Sequence, residues 1–331
     1  MRILVVGGAG YIGSHAARHL TTSGHEVVVY DDLSTGHRRA VPFGALVVGT
    51  LTDRPRLVQT LRDEAIEAVM HFAAHCYVGE SVTDPGKYWG NNVVGSWHLL
   101  EAMREAGVKS IVFSSTTATY GEPDTVPIPE TTRQEPINPY GMTKLVIERM
   151  LEDYRAAYGF SYAALRYFNA AGAAADGTLG EDHTPETHLI PLILQTALRQ
   201  RQGLTIFGDD YETPDGTCIR DYVHVEDLAT AHRLALEKLS PGTCLKLNLG
   251  TGRGTSVREV LDACRKVSDR EIPVTVGPRR AGDPPRLIAD GRLARETLGW
   301  EPAYPDITSI VETAWRWHRL HPKGYDGPSE D

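Results

Sequence analysis

The glycine-punctuated run Gly7-Gly8-Ala9-Gly10-Tyr11-Ile12-Gly13 sits between a short apolar stretch, Ile3–Val6, and a helix-forming one, Ile12–Thr22. A strand that turns through glycines straight into a helix leaves the chain few choices, because the next strand must then lie parallel to the first. The pattern repeats down the first half. β-Branched runs at Val27–Tyr30, Leu46–Val48, Ala68–Phe72, Ile111–Phe113 and Ala163–Tyr167 alternate with helical stretches at Pro55–Asp63, Val93–Ala106 and Tyr140–Tyr158. Such alternation predicts an α/β fold whose parallel sheet is doubly wound, with helices on both faces. Sheets of this kind bind ligands beyond the carboxyl ends of their strands.

Past about residue 170 the pattern becomes irregular, with Gly, Pro and Asp clustered at Gly172–Pro185 and Gly208–Gly216 and a helix expected at Leu189–Arg201 between them. Two later helices are expected at Asp221–Lys238 and Val257–Val267, the second capped by Ser256. We therefore expect a Rossmann domain over residues 1–170. Residues 171–331 should form mainly a smaller C-terminal α/β substrate lobe, with some segments returning to the first domain.

Composition narrows the function. The 331 residues carry a formal charge of −9, which argues against non-specific nucleic-acid binding but not against an anionic ligand held by local donors. No apolar stretch approaches the ~20 residues of a membrane span, and the N-terminus lacks the layout of a signal peptide. Cys76, Cys218, Cys244 and Cys264 show no C-x-x-C spacing, so neither a zinc site nor a redox pair is indicated and no metal is expected. Reduced thiols suit a cytoplasmic protein.

Glycines at 7, 10 and 13 permit a tight turn, the close approach of a pyrophosphate, and close helix–sheet packing, with the phosphates lying on the positive helix N-terminus. Asp31, at the end of the second strand, is placed to accept hydrogen bonds from ribose hydroxyls and to repel a 2′-phosphate, which favours NAD over NADP. Arg38 and Arg39 are the one feature that favours NADP. Tyr140 and Lys144 stand at i and i+4 on one helix face, where the ammonium, helped by a positive nicotinamide, should favour the phenolate and make a base of it. Ser114-Ser115-Thr116-Thr117 places hydroxyls at the carboxyl end of the preceding strand, and Thr116 could share a substrate proton with Tyr140.

These motifs carry a resemblance. GGAGYIGSH at 7–15, DDLSTG at 31–36, HFAA at 71–74, VGESV at 78–82, NNVVG at 91–95, YGMTK at 140–144 and RYFNAAGA at 166–173 resemble the UDP-glucose 4-epimerases of the extended short-chain dehydrogenase/reductase family. So do IFGDDYETPDGTCIRDYVHVEDLA at 206–229 and NLGTGRGTSV at 248–257. The resemblance implies interconversion of UDP-galactose and UDP-glucose by oxidation at C4, rotation of the 4-ketose and re-reduction, with NAD tightly bound in a homodimer. It implies an NAD site made of Gly7, Gly10, Tyr11, Ile12, Gly13, Asp31, Asp32, Ser34, Thr35, Gly36, Thr50 and Leu51. Phe72, Ala73, Ala74, Cys76, Asn91, Ser114, Tyr140, Lys144 and Phe168 complete it. The UDP-sugar falls to Thr116, Tyr140, Asn169, His188, Leu189, Thr205, Ile206 and Phe207, with Arg220 and Arg280 on the pyrophosphate, Asp283 on the uridine ribose and Leu287 near the sugar.

Three positions depart from the family pattern. Thr50 stands where an Asp is common, Cys76 where many members carry Lys, and Thr116 where Ser is more usual. Leu287 aligns with a position that is a bulky Tyr in strictly hexose-specific members. Leu is intermediate in size, so UDP-N-acetylhexosamines are an alternative that is not implied. A UDP-pentose, lacking the hydroxymethyl group, is a closer one because it would fit any hexose site. A 4,6-dehydratase would need an acid pair where this chain has Thr117-Ala118, and a decarboxylase commonly has an acid there too. A non-catalytic NAD sensor would not need Thr116, Tyr140 and Lys144 all intact.

Overall fold

The computed structural model describes residues 1–280 and 284–326. Six strands of the first half, β1 (Arg2–Val6), β2 (Glu26–Asp31), β3 (Ala45–Val48), β4 (Ala68–His71), β5 (Ser110–Thr116) and β6 (Ser161–Tyr167), lie parallel in one sheet. Three more follow in the irregular half, β7 (Asn169–Ala171), β8 (Leu204–Phe207) and β9 (Ile219–His224). β10 (Cys244–Asn248) then returns to pair with β6, giving the seven-stranded order β3-β2-β1-β4-β5-β6-β10. Between β1 and β4 the winding reverses, which opens the ligand crevice of a Rossmann sheet there.

Alternation along each strand explains the two faces. In β1, Leu4 and Val6 point into one core with Val28, Tyr30, Leu99, Phe113 and Leu151, while Ile3 and Val5 point into the other with Val27, Val29, Leu20, Leu228 and Trp300. Helices Arg54–Asp63, Gly95–Ala106 and Pro139–Tyr158 cover the first face, and Tyr11–Thr22 and Val225–Lys238 the second. The remaining strands are β11 (Gly254–Ser256), β12 (Val274–Gly277) and β13 (Arg286–Leu287). A third core, around Ile193, Leu194, Ile206, Val260 and Val311, lies between β7, β8, β9 and β12 and the helices of the C-terminal half.

Two expectations need correction. Asp221–His224 is strand rather than the start of a helix, because β9 is held by β7, β11 and β13 along its edges. The helix begins at Val225, after His224 has capped it through its ring nitrogen. The helix that opens at Leu189 stops at Ala197, ahead of Arg199, whose left-handed φ of 60° no helix continues through. The Ser256 cap is a full capping box, with Ser256 Oγ accepting from Glu259 N at 3.1 Å and Glu259 Oε2 from Ser256 N at 2.7 Å. Ser256→Ala should cost ~1–2 kcal/mol, measured by chemical unfolding.

Candidate active site

The glycine turn between β1 and its helix is shaped by close contacts. A Cβ on Gly7, whose φ is +79°, would stand 2.4 Å from the Ala73 nitrogen, and one on Gly13 would stand 2.1 Å from the Gly7 carbonyl. Gly10 meets only the Gly7 oxygen at 3.5 Å, so one side of the turn stays open to a ligand. Asp31 braces it, Oδ2 accepting from Ala9 N at 2.9 Å and Oδ1 from Leu33 N at 2.8 Å. Burial pushes its carboxyl above the usual range while those amide bonds pull it back. The residues fit a dinucleotide, since the turn is narrow, uncrowded at Gly10, and opens a helix N-terminus. Arg39 donates to the Tyr325 carbonyl at 2.6 Å, so that guanidinium is turned to the C-terminal segment.

Around this turn the other expected cofactor residues fall into two groups. Asp32 Oδ1 accepts from Ser34 N at 2.9 Å, Thr35 is exposed, and Gly36 lies against Ala9. Phe72 N and Ala73 N both donate to the Val6 carbonyl, folding the Phe72–Ala74 segment over the end of β1. Thr50 offers an exposed hydroxyl, and its carbonyl takes the Tyr30 phenol, whereas Leu51 is buried against Gly95. Ile12 packs into the second core, and Tyr11 donates to the Gly172 carbonyl at 2.6 Å, tying the turn to the loop after β7. Asn91 donates to Asn92 Oδ1, and the buried Asn92 bonds His75 and Thr143. Sequence reasoning passed over Asn92, which joins the segment of Cys76 to the helix of Tyr140.

At the end of β5 the reactive groups meet. The buried Lys144 ammonium donates to the Ser114 carbonyl at 2.7 Å and lies 6.0 Å from the Tyr140 ring centroid, while Ser114 Oγ pairs with the Tyr167 phenol. Desolvation pushes the Tyr140 phenol well up, with a hydrogen bond to the Thr116 hydroxyl opposing it. The same desolvation pulls Lys144 down to about 8. The expected phenolate is therefore disfavoured by the protein alone, since burial of both groups outweighs their pairing. Cys76 is exposed. Phe168 is half-buried just past β6.

Beneath the site lies a network with little local sequence signal. Glu148 Oε1 accepts from Ser115 Oγ at 2.5 Å and Arg166 Nε at 2.9 Å, Oε2 from Arg166 Nη2 at 2.5 Å, and Arg166 Nη1 reaches the Tyr120 phenol at 2.7 Å. The one hint was a charged residue inside the otherwise apolar β6 run SYAALRY.

The substrate-side residues line the smaller sheets. Asn169 Nδ2 donates to the Asp221 carbonyl, Leu287 pairs in register with Arg220, and the Arg280 guanidinium stacks 4.3 Å over the Phe207 ring. Thr205 is exposed and shares a hydrogen bond with Thr275, whereas Ile206 is buried in the third core and can offer a ligand only its backbone. His188 precedes the Leu189 helix, and Leu189 packs on the third core. Asp283 lies outside the described residues. Asp221, missed as a site residue, is fully buried, and its carboxylate takes Thr251 N, Thr251 Oγ1, Gly252 N and Ala289 N. It orders the two loops beside Arg220.

Comparison with known proteins agrees with this geometry. Residues 3–250 match the NAD dependent epimerase/dehydratase family. A UDP-glucose 4-epimerase of Lacticaseibacillus casei is 54% identical over 98% of this chain and 99% of that protein. One of Halalkalibacterium halodurans is 52% identical over 100% and 99%. The crystal structure of UDP-glucose 4-epimerase from Brucella ovis in complex with NAD is similar at a TM-score of 0.92 and 54% identity, covering 95% of this chain and 97% of that one.

Proposed function

The chain belongs to the NAD dependent epimerase/dehydratase family, and from that premise we propose that it interconverts UDP-galactose and UDP-glucose by oxidation and re-reduction at C4. The observation that carries this reading is Tyr140 facing the Thr116 hydroxyl above Lys144, at the strand end beside the glycine turn. Tyr140 takes the proton of the sugar 4-hydroxyl through its phenol oxygen, and Thr116 shares that proton. Lys144, fixed by the Ser114 carbonyl, would hold the nicotinamide ribose. When bound, NAD would supply a positive ring that favours the phenolate and a two-electron hydride acceptor and donor.

Firm UDP binding with loose ketose binding lets the sugar turn over. Arg220, Arg280, Phe207 and Asn169 supply the firm part, guanidinium forks suiting phosphate oxygens. UDP-galactose supplied without added NAD should give UDP-glucose with no net change in oxidation state. Unchanged UDP-galactose, even with NAD supplied, would refute the proposal.

Leu287 supports a second substrate class. It lies beside Arg220, half-buried, and its side chain is smaller than Tyr, so UDP-N-acetylhexosamines should also turn over. Leu287→Tyr should lower their kcat/KM relative to UDP-galactose by roughly 10-fold or more, the scale of ~1–3 kcal/mol for steric exclusion. An unchanged ratio would place the acetamido group elsewhere.

We propose a homodimer through Trp89, Val94, Trp97 and Met142, large apolar side chains exposed on the helical segments at 89–106 and 139–158. Trp97→Glu should then yield monomers by light scattering. No helix among the described residues is long and apolar enough to cross a membrane, and four free thiols suit the reducing cytoplasm.

A further inference from the structure

The loop from Gly172 to His188 carries a side-chain cluster of which only His188 is among the expected substrate residues. Glu181, His183, Glu186 and His188 converge so that one ligand atom from each lies within 4.8 Å of every other. Glu181 Oε1 is 2.8 Å from His188 Nδ1 and 3.3 Å from His183 Nδ1, while Glu186 Oε1 is 2.9 Å from His188 Nδ1 and its Oε2 3.6 Å from His183 Nδ1. Both carboxylates are deeply buried, at 6% and 5% side-chain exposure, and the ion-pair partners they have among the described residues are these two imidazoles.

Hydrogen bonding serves this arrangement poorly. His188 Nδ1 can carry one proton, yet oxygens of two different carboxylates press on it at similar distances. His183 Nδ1 is buried 3.3 Å from Glu181 Oε1 without the alignment of a hydrogen bond. A tetrahedral zinc with bonds of ~2.0–2.2 Å has ligand–ligand edges of roughly 3.3–3.6 Å. Glu181 Oε1 lies 2.8 and 3.3 Å from the two imidazole nitrogens, and Glu186 lies 2.9 and 3.6 Å from them through its two different oxygens. The two carboxylates raise both imidazoles above their ordinary pKa, so a divalent cation bound here would displace those two protons and neutralise the same two carboxylates.

We propose that Glu181, His183, Glu186 and His188 bind one divalent transition-metal ion, zinc by its ligand chemistry, as a structural clamp. Four protein ligands leave no open position, so the ion takes no part in the reaction. Its place explains what it would clamp. Tyr77 packs 6.2 Å from both imidazole rings and donates to the Pro185 carbonyl, and Tyr11 of the glycine turn lies edge-on to His183 at 6.3 Å. The ion would thus tie the loop to the cofactor turn, to the segment after Cys76 and to the start of the Leu189 helix. A tally of cysteines could not reveal it, because the signal is the E-x-H-x-x-E-x-H run at 181–188.

The test uses the full chain, desalted and assayed by elemental mass spectrometry, then stripped with chelator and reloaded with zinc or cobalt. We expect about one zinc per chain, a tetrahedral cobalt spectrum on reloading, and a Tm that falls on stripping and recovers with zinc. His183→Ala and Glu186→Gln should lose the metal. If either variant fails to fold, stripping and reloading the unaltered protein still decides. Protein that takes up neither zinc nor cobalt at micromolar concentration would overturn the site, and metal whose removal leaves Tm unchanged would overturn the clamp.

Discussion

Tyr140→Phe lowers kcat by ~10²–10⁴-fold, the range for loss of a positioned general base, while UDP still binds and the fold persists. The phenol oxygen is the group on the helix face that can take the 4-hydroxyl proton. Its hydrogen-bonding neighbour is Thr116, whose own hydroxyl also accepts from Ala118 N at 3.1 Å, so removing one oxygen disturbs little else. Thr116 cannot substitute, because an alcohol is a far weaker base than a phenolate. Because desolvation raises the phenol well above its ordinary value, the unliganded protein should hold Tyr140 protonated, and the phenolate should form only once the cofactor is in place. The checks are kcat and KM for UDP-galactose, with UDP affinity measured beside them. Turnover within about threefold of the unaltered enzyme, well short of the loss expected for a base, would move the base elsewhere.

Glu148→Ala destabilises the protein by ~3–5 kcal/mol, because it leaves a buried guanidinium without its counter-ion. Arg166 and Glu148 are 3% and 2% exposed, and the carboxylate also satisfies Ser115 and Gln134. Glu152 is the control. Its carboxylate is about a third exposed and shared among Arg155, Lys246 and Tyr162, so Glu152→Ala should cost about 1 kcal/mol. Replacing the buried pair together, Glu148→Leu with Arg166→Met, should recover most of the loss, since the desolvation penalty goes with both charges. Urea unfolding of the three variants makes the comparison. Equal costs at 148 and 152 would mean that solvent reaches the buried pair.

Much of the site was legible because its signals are local. The glycine turn, the strand-end hydroxyls and the Tyr140–Lys144 spacing each follow from a few consecutive residues, and so does the Ser256–Glu259 box. What escaped depends on distant partners. Asp221–His224 reads as helix by itself and becomes strand because β7, β11 and β13 pair with it. Glu148 and Arg166 lie on separate elements, so neither sequence neighbourhood shows the other. Asp31 was read as a ribose acceptor, and the structure adds that two backbone amides already occupy its oxygens. Ile206 belongs to a site motif, yet its side chain serves the third core.

The central claim is that the hydrogen at C4 leaves the sugar and comes back to the same carbon on the other face. UDP-galactose deuterated at C4, turned over in ordinary water without added NAD, tests it directly. The account predicts UDP-glucose that keeps its deuterium at C4. Loss of the label to solvent would show that the carbon is inverted by proton exchange instead, and would contradict it.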